Sequence, residues 1–238
     1  MSIVTPAVLP SSRDALEAAL ARLDGHVSAV QIDVVDGRFA APASWPYAEP
    51  ADPRVFAAGG ELPYLGHFTF EIDLMTESPE TSAGAWVEAG AARIVVHIES
   101  ARNLDRLLAE FARRYGHEKG FAPDLIALGL ALNIDTDTTA IEPYLDSVDF
   151  VQFMGIARIG VQGQSFDDRV LRKIELFKRA HPDIPIQVDG GVTEETAPRL
   201  LALGVDRLVV GHSIIGASDI PAQLHRFDAL AEEYGRYR

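Results

Sequence analysis

Residues Ile184–Ala217 read IPIQVDGGVTEETAPRLLALGVDRLVVGHSIIGA. A β-branched run closes on Asp189, a Gly190-Gly191 turn follows, then an amphipathic helix, a second apolar run and Gly211-His212-Ser213. Strand, tight glycine turn, helix and strand make one βαβ unit of a parallel sheet. Its first strand ends on an acid, at the edge where parallel α/β barrels keep their chemistry. Glycines at that edge let the backbone approach a ligand closely. The free N–H groups around residues 211–213, ahead of another helical start, suit an anion.

Working outward, strand-like apolar runs fall at Ile3–Leu9, Val27–Val34, Phe68–Met75, Ile94–Ile98, Leu125–Leu132, Val148–Met154, Ile184–Val188 and Leu208–Val210. Helical patterns separate them at Ser11–Leu23, Thr81–Ala89, Ala101–Tyr115, Thr138–Leu145, Asp167–Ala180, Glu194–Leu203 and Ile220–Tyr234. The weakest slot is Ala40–Pro63, rich in Pro and Ala, where a short helix around Asp52–Ala58 fits. Eight strands alternating with helices over 238 residues is the count and length of a (β/α)8 TIM barrel, with 1–238 as a single domain. A doubly wound open sheet would call for a GxGxxG-type first turn, which is absent.

Composition narrows the function. The chain has no cysteine, so disulfides, thiolate metal sites and a cysteine nucleophile are excluded. A net charge of −14 argues against nucleic acid or an anionic membrane as partner. A phosphate can still bind, provided local backbone N–H groups receive it. No run is long and apolar enough to span a bilayer, and MSIVTPAVLPSSRD lacks the layout of a secretory signal; the expected address is cytoplasmic.

Strand residues two apart share a face. Three strands end on the same polar pair, Gln31-Ile-Asp33, Glu71-Ile-Asp73 and Gln187-Val-Asp189. Val30, Ile32, Phe70, Ile72, Ile186 and Val188 then face the helices, and three aspartates converge at the barrel mouth. Two chemistries use such a cluster. Oxygen donors suit Mg²⁺ or Mn²⁺ better than zinc. Alternatively, two carboxylates flanking a carbonyl compound remove a proton from one face and return one to the other; a metal stabilising the enediolate would make the two compatible. Glycine-rich turns follow the last three strands, at Ile159–Ser165, Gly190-Gly191 and Gly211–Ser213, the usual place for a phosphate in such barrels. Arg158 is a candidate to add charge there. His97 lies on the inward parity of its strand, most simply as a hydrogen-bonded core histidine, and no His-x-His or HExxH spacing occurs.

Gln31-Ile-Asp-Val-Val-Asp-Gly37, Asp73-Leu-Met75, Val96-His-Ile-Glu99, Gly160 to Phe166, Val188-Asp-Gly-Gly191 and Val210-Gly-His-Ser213 resemble, in order, the signature segments of the ribulose-phosphate 3-epimerase family. The resemblance implies a (β/α)8 barrel that acts on a pentulose 5-phosphate through an enediolate. It matches Asp33 and Asp189 to the family's proton-transferring pair. It matches Gly160, Gly163, Gln164, Gly190, Gly191, Gly211, His212 and Ser213 to the phosphate cradle. The family typically holds its metal with two histidines and those two aspartates; here the histidine positions read Gln31 and Asp73. Gln31, Asp33, Asp73 and Asp189 are therefore the expected ligands of Mg²⁺ or Mn²⁺, zinc or iron being disfavoured, unless no metal is held. The family's first-strand serine is Ala7, and its Pro-Gly-Phe-Gly-Gly-Gln loop reads Ile159-Gly-Val-Gln-Gly-Gln164. A homo-oligomer is expected on the resemblance alone. The rival expectation is a non-catalytic relative that binds a phosphorylated ligand. Metal-free enolate chemistry such as decarboxylation ranks last, because no strand end carries a lysine.

Overall fold

A computed structural model describes residues 3–56, 59–115 and 126–235. Eight strands close into one parallel barrel in sequence order: β1 Val4–Val8, β2 Ala29–Val35, β3 Thr69–Met75, β4 Ala91–His97, β5 Ala127–Leu132, β6 Phe150–Met154, β7 Ile186–Asp189 and β8 Arg207–Val210. The helices are α1 Arg13–Leu23, α2 Ala83–Glu88, α3 Leu104–Tyr115, α4 Arg169–Ala180, α5 Ala197–Ala202, α6 His212–Ile215 and α7 Ile220–Tyr234. Ser12 caps α1 by accepting from the Ala15 N–H at 3.1 Å, and Leu16, Leu20 and Leu23 carry its buried face. Val30, Ile32, Phe70, Ile72, Ile186 and Val188 join the main core between strands and helices, as the alternation requires.

Where helices depart from the sequence pattern, proline and short polar side chains account for it. The helix expected over Thr138–Leu145 is two 3-10 turns, Thr138–Ala140 and Glu142–Ser147. Asp137 accepts from the Thr139 N–H at 2.9 Å and draws the backbone into a tight turn, and Pro143 removes a helical donor. The helix expected over Thr81–Ala89 is a 3-10 turn at Pro79–Thr81 followed by α2, and Gly90, with φ 108°, stops it. That expected from Glu194 starts only at Ala197, with Pro198 in its first turn. Around Asp52, a 3-10 turn spans Pro53–Phe56; Ala58 lies outside the described residues, as does Leu125.

The barrel interior is unusual in its polarity. Such interiors are ordinarily filled by layers of branched apolar side chains. Here Gln31, Glu71, Gln152 and Gln187 are buried on the inner face. The Arg93 guanidinium sits 4.1 Å from the centre of the Phe150 ring, and Gln187 Nε2 donates to Glu71 Oε1 at 2.8 Å and to Gln152 Oε1 at 2.6 Å. Phe150 fits because its neighbour is Gly129: a Cβ there would lie 2.3 Å from Phe150 Cε2. Gly129→Ala should therefore push the ring and Arg93 together, destabilising the barrel by about 1–3 kcal/mol in chemical denaturation. An unchanged midpoint would mean that the ring has room to turn.

Candidate active site

Asp33, Asp73 and Asp189 stand near the C-terminal ends of β2, β3 and β7, each offering one carboxylate oxygen within 4.8 Å of the others. All three are buried. The register explains the convergence: Asp33 pairs with Asp73 across β2 and β3, and Asp189 faces the mouth from β7 on the same inward parity. Gln31, one pleat below Asp33, links two of them. Its Nε2 donates to Asp33 Oδ1 at 2.8 Å and to Asp189 Oδ2 at 3.0 Å, while its Oε1 is buried without a partner. Asp73 is held differently, by Gln152 Nε2 at 3.0 Å and His97 Nε2 at 3.2 Å.

Burial dominates the electrostatics. It raises the Asp33 carboxyl to about 7, with the neighbouring Asp73 carboxylate adding to the effect and the Gln31 and Gln162 amides opposing it. Burial, then the charges of Asp33 and Asp73, also pushes Asp189 well above the usual carboxylate range. Burial works against charge on His97, yet Asp73 beside its Nε2 more than offsets this, so its pKa is raised. The imidazole is fully buried, with Nδ1 3.9 Å from Glu99 Oε2.

Above the acids lies a cavity of about 140 Å³. A single water needs only ~10–15 Å³ by the same kind of measure, so the space suits a small molecule. Asp33 and Asp189 line it together with Gly160, Gly163, Gln164, Gly190, Gly191, Gly211, His212 and Ser213. Every residue expected at the phosphate cradle thus reaches one cavity. Gly190 shows why the turn needs glycine: its φ is 96°, and a Cβ would lie 2.7 Å from Ile156 Cγ1. Two of these side chains serve the loops themselves. Gln164 Nε2 donates to the Val161 and Arg158 carbonyls, and Ser213 Oγ to the Val192 carbonyl at 3.0 Å. Arg158 is exposed and does not line the cavity. His97 and Gln31 do not line it but hydrogen-bond the acids.

Two residues outside the expected set belong to the site. Gln152 shares the inward parity of Met154, a signal present in the sequence, and it holds Asp73. Gln162, on the loop after β6, donates to Asp33 Oδ2 at 3.3 Å and to the Ala7 carbonyl at 3.2 Å. No periodicity could have placed a loop side chain there.

Fold and mouth together define a parallel (β/α)8 barrel with an acid-lined small-molecule site. The chain belongs to the ribulose-phosphate 3-epimerase family, whose profile matches residues 3–215. It is 30% identical over 235 residues to the ribulose-phosphate 3-epimerase of Aquifex aeolicus (strain VF5), covering 97% of each chain. Against the enzyme of the same name from Bacillus subtilis (strain 168), it is 30% identical over 222 residues, covering 91% of this chain and 93% of that one. Among solved structures, KGPDC from Streptococcus mutans aligns with a TM-score of 0.67 at 12% identity, covering 97% of both chains. A 3-hexulose-6-phosphate synthase aligns at 0.65 and 20% identity, covering 97% of this chain and 99% of that one. These two likenesses concern the fold.

Proposed function

We propose that this chain is a sugar-phosphate epimerase that inverts C3 of a pentulose 5-phosphate or related ketose phosphate, with Asp33 and Asp189 as the proton-transferring pair. The observation that carries this reading is the joining of two buried carboxylates by one amide nitrogen beneath a glycine-lined cavity. Two carboxylates in one buried site do not both ionise readily. One therefore keeps its proton while the other is free, the state that two-sided transfer requires. The free carboxylate takes the C3 proton, and the electrons of the broken C–H bond form the C2–C3 double bond of an enediolate. The protonated partner then delivers its proton to the opposite face of C3. After one turnover the two groups have exchanged roles.

The main-chain N–H groups of the three glycine-rich turns receive the phosphate, which lets an acidic chain bind an anion locally. The donor set also fits the family's divalent cation, since three buried carboxylates and the unpartnered Gln31 Oε1 offer four hard oxygens. Gln31, Asp33, Asp73 and Asp189 would hold it, with Mg²⁺ or Mn²⁺ favoured over zinc or iron. When bound, the ion stabilises negative charge on the enediolate oxygens. No helix among the described residues is long and apolar enough to cross a membrane. A cytoplasmic enzyme and a homo-oligomer are our reading by family.

Proton NMR with ribulose 5-phosphate in D2O, with and without Mn²⁺ or Mg²⁺, tests the proposal. Deuterium at C3 with conversion to xylulose 5-phosphate is the expected result. Binding of the phosphate ligand without exchange under any metal would replace the enzyme by a binding protein. The metal assignment has its own test, in Mn²⁺ and Zn²⁺ titrations of chelator-treated protein. Replacing two oxygen donors by imidazoles in the Gln31→His, Asp73→His double variant should raise Zn²⁺ affinity relative to Mn²⁺ by at least about tenfold. An unaltered ratio would remove those two residues from the ligand set.

A further inference from the structure

Asp33 and Asp189 are not held alike. Gln31 gives each of them one hydrogen bond. Asp33 receives a second, on its other oxygen, from Gln162 Nε2 at 3.3 Å. Among the described residues, the Asp189 side chain has no such second donor. One proton-transferring group is therefore clamped at both oxygens and the other at one.

Gln162 makes this clamp by crossing the mouth. Its other amide hydrogen goes to the Ala7 carbonyl of β1 at 3.2 Å, so a single nitrogen ties the loop after β6 to two strands. The neighbouring backbone leaves room for it: a Cβ on Gly211 would lie 2.5 Å from Gln162 Nε2 and 2.8 Å from its Cδ. Ala7 adds no side-chain donor that could do the same work. The loop's internal tie is a separate one, from Gln164 Nε2 to the Val161 carbonyl.

We propose that Gln162 is a positioning residue for Asp33 alone, fixing the plane of that carboxylate and hence the half-reaction that uses it. The inference rests on the two-aspartate reading above. In that reading, the epimer whose C3–H faces Asp33 loses its proton to Asp33, and the opposite epimer loses its proton to Asp189. A loose Asp33 slows abstraction from the first epimer and slows inversion in both directions. Abstraction from the second epimer by Asp189, and return of a solvent-derived deuteron from the same carboxylate, continue.

Gln162→Ala tests this with ribulose 5-phosphate and xylulose 5-phosphate followed separately in D2O, recording inversion and C3 exchange into unreacted substrate. Inversion, and exchange from one epimer, should fall at least about tenfold, while exchange from the other epimer stays within about twofold. Gln162→Met, which keeps the length of the side chain but has no amide to donate, should give the same one-sided loss and serves if Gln162→Ala does not fold. General loosening of the mouth would slow both epimers alike. Equal losses, or none, with an active wild-type protein would overturn the role of Gln162 and leave the aspartate pair standing. Wild-type protein inert towards both epimers would overturn the pair, and this role with it.

Discussion

Asp33→Asn is expected to slow inversion at C3 by about 10²–10⁴-fold, the usual contribution of a positioned acid or base. In the same substitution the metal-free protein should become more stable at pH 8. The Asp33 carboxyl rises from 3.8 to about 7 on folding, chiefly through burial. Below 3.8 both folded and unfolded chains hold the proton, and the group contributes nothing. Between 3.8 and about 7 the folded chain keeps a proton that the unfolded chain has released, so stability falls as pH rises, and the penalty is complete above 7. Asparagine has no charge to bury, which should recover on the order of a few kcal/mol at pH 8. Asparagine keeps an acceptor for Gln31 but sets its amide against Gln162, so part of that gain is offset. Melting curves at pH 5 and pH 8 give the comparison: the wild type should lose more between them than the variant. A variant no more stable at pH 8 would contradict the burial penalty, and a rate loss below about tenfold would remove Asp33 from the chemistry.

Glu71→Leu should be the most damaging single change in the barrel interior. Glu71 is the shared counter-charge of two arginines: it is hydrogen-bonded to Arg93, and Arg207 Nη1 stands 3.6 Å from the same Oε2. Burial, then the like charge of Arg93, already lowers the Arg207 pKa. Removing the carboxylate leaves two guanidinium groups facing each other inside the barrel. Stranding one partner of a buried ion pair costs about 3–5 kcal/mol. For a chain of this size each kcal/mol is worth roughly 2–4 °C, so the melting point should drop on the order of 10 °C. Glu71→Gln, which keeps one oxygen to accept from Arg93 or Gln187 but sets its NH2 against the other donor, should lie between. The arginine side chains are 18% and 19% exposed. A loss below about 1 kcal/mol would mean that water reaching them from below replaces the carboxylate.

The fold was legible because period-two alternation and glycine turns are local signals. Asp33, Asp73 and Asp189 could be brought to one mouth by parity alone, and the glycine turns after β6, β7 and β8 follow from chain order. What stayed hidden depends on contacts across the barrel. Gln152 holds Asp73 from 79 residues away, and Gln162 reaches Ala7 from 155. Arg207 is hidden for a nearer reason: the last strand reads as apolar from Leu208, whereas its first residue points inward beside Glu71. The helix expected over Thr138–Leu145 does not form because apolar spacing is blind to the turn that Asp137 imposes through Thr139.

Two amides inside the barrel, Gln187 and Gln152, form one directional relay. Arg93 Nη2 is 3.4 Å from Gln187 Oε1, which turns the Gln187 nitrogen towards Glu71 and Gln152. Gln152 must then offer its oxygen to Gln187, and its nitrogen is left for Asp73. The interior thus works as a row of aligned dipoles whose direction is set at the closed end and read at the open one. Exchanging the signs of the charges at the base would reverse two side-chain amides and bring an oxygen against the Asp73 carboxylate. Anyone grafting a new specificity onto this mouth inherits that polarity, and would have to redesign the base of the barrel along with its rim.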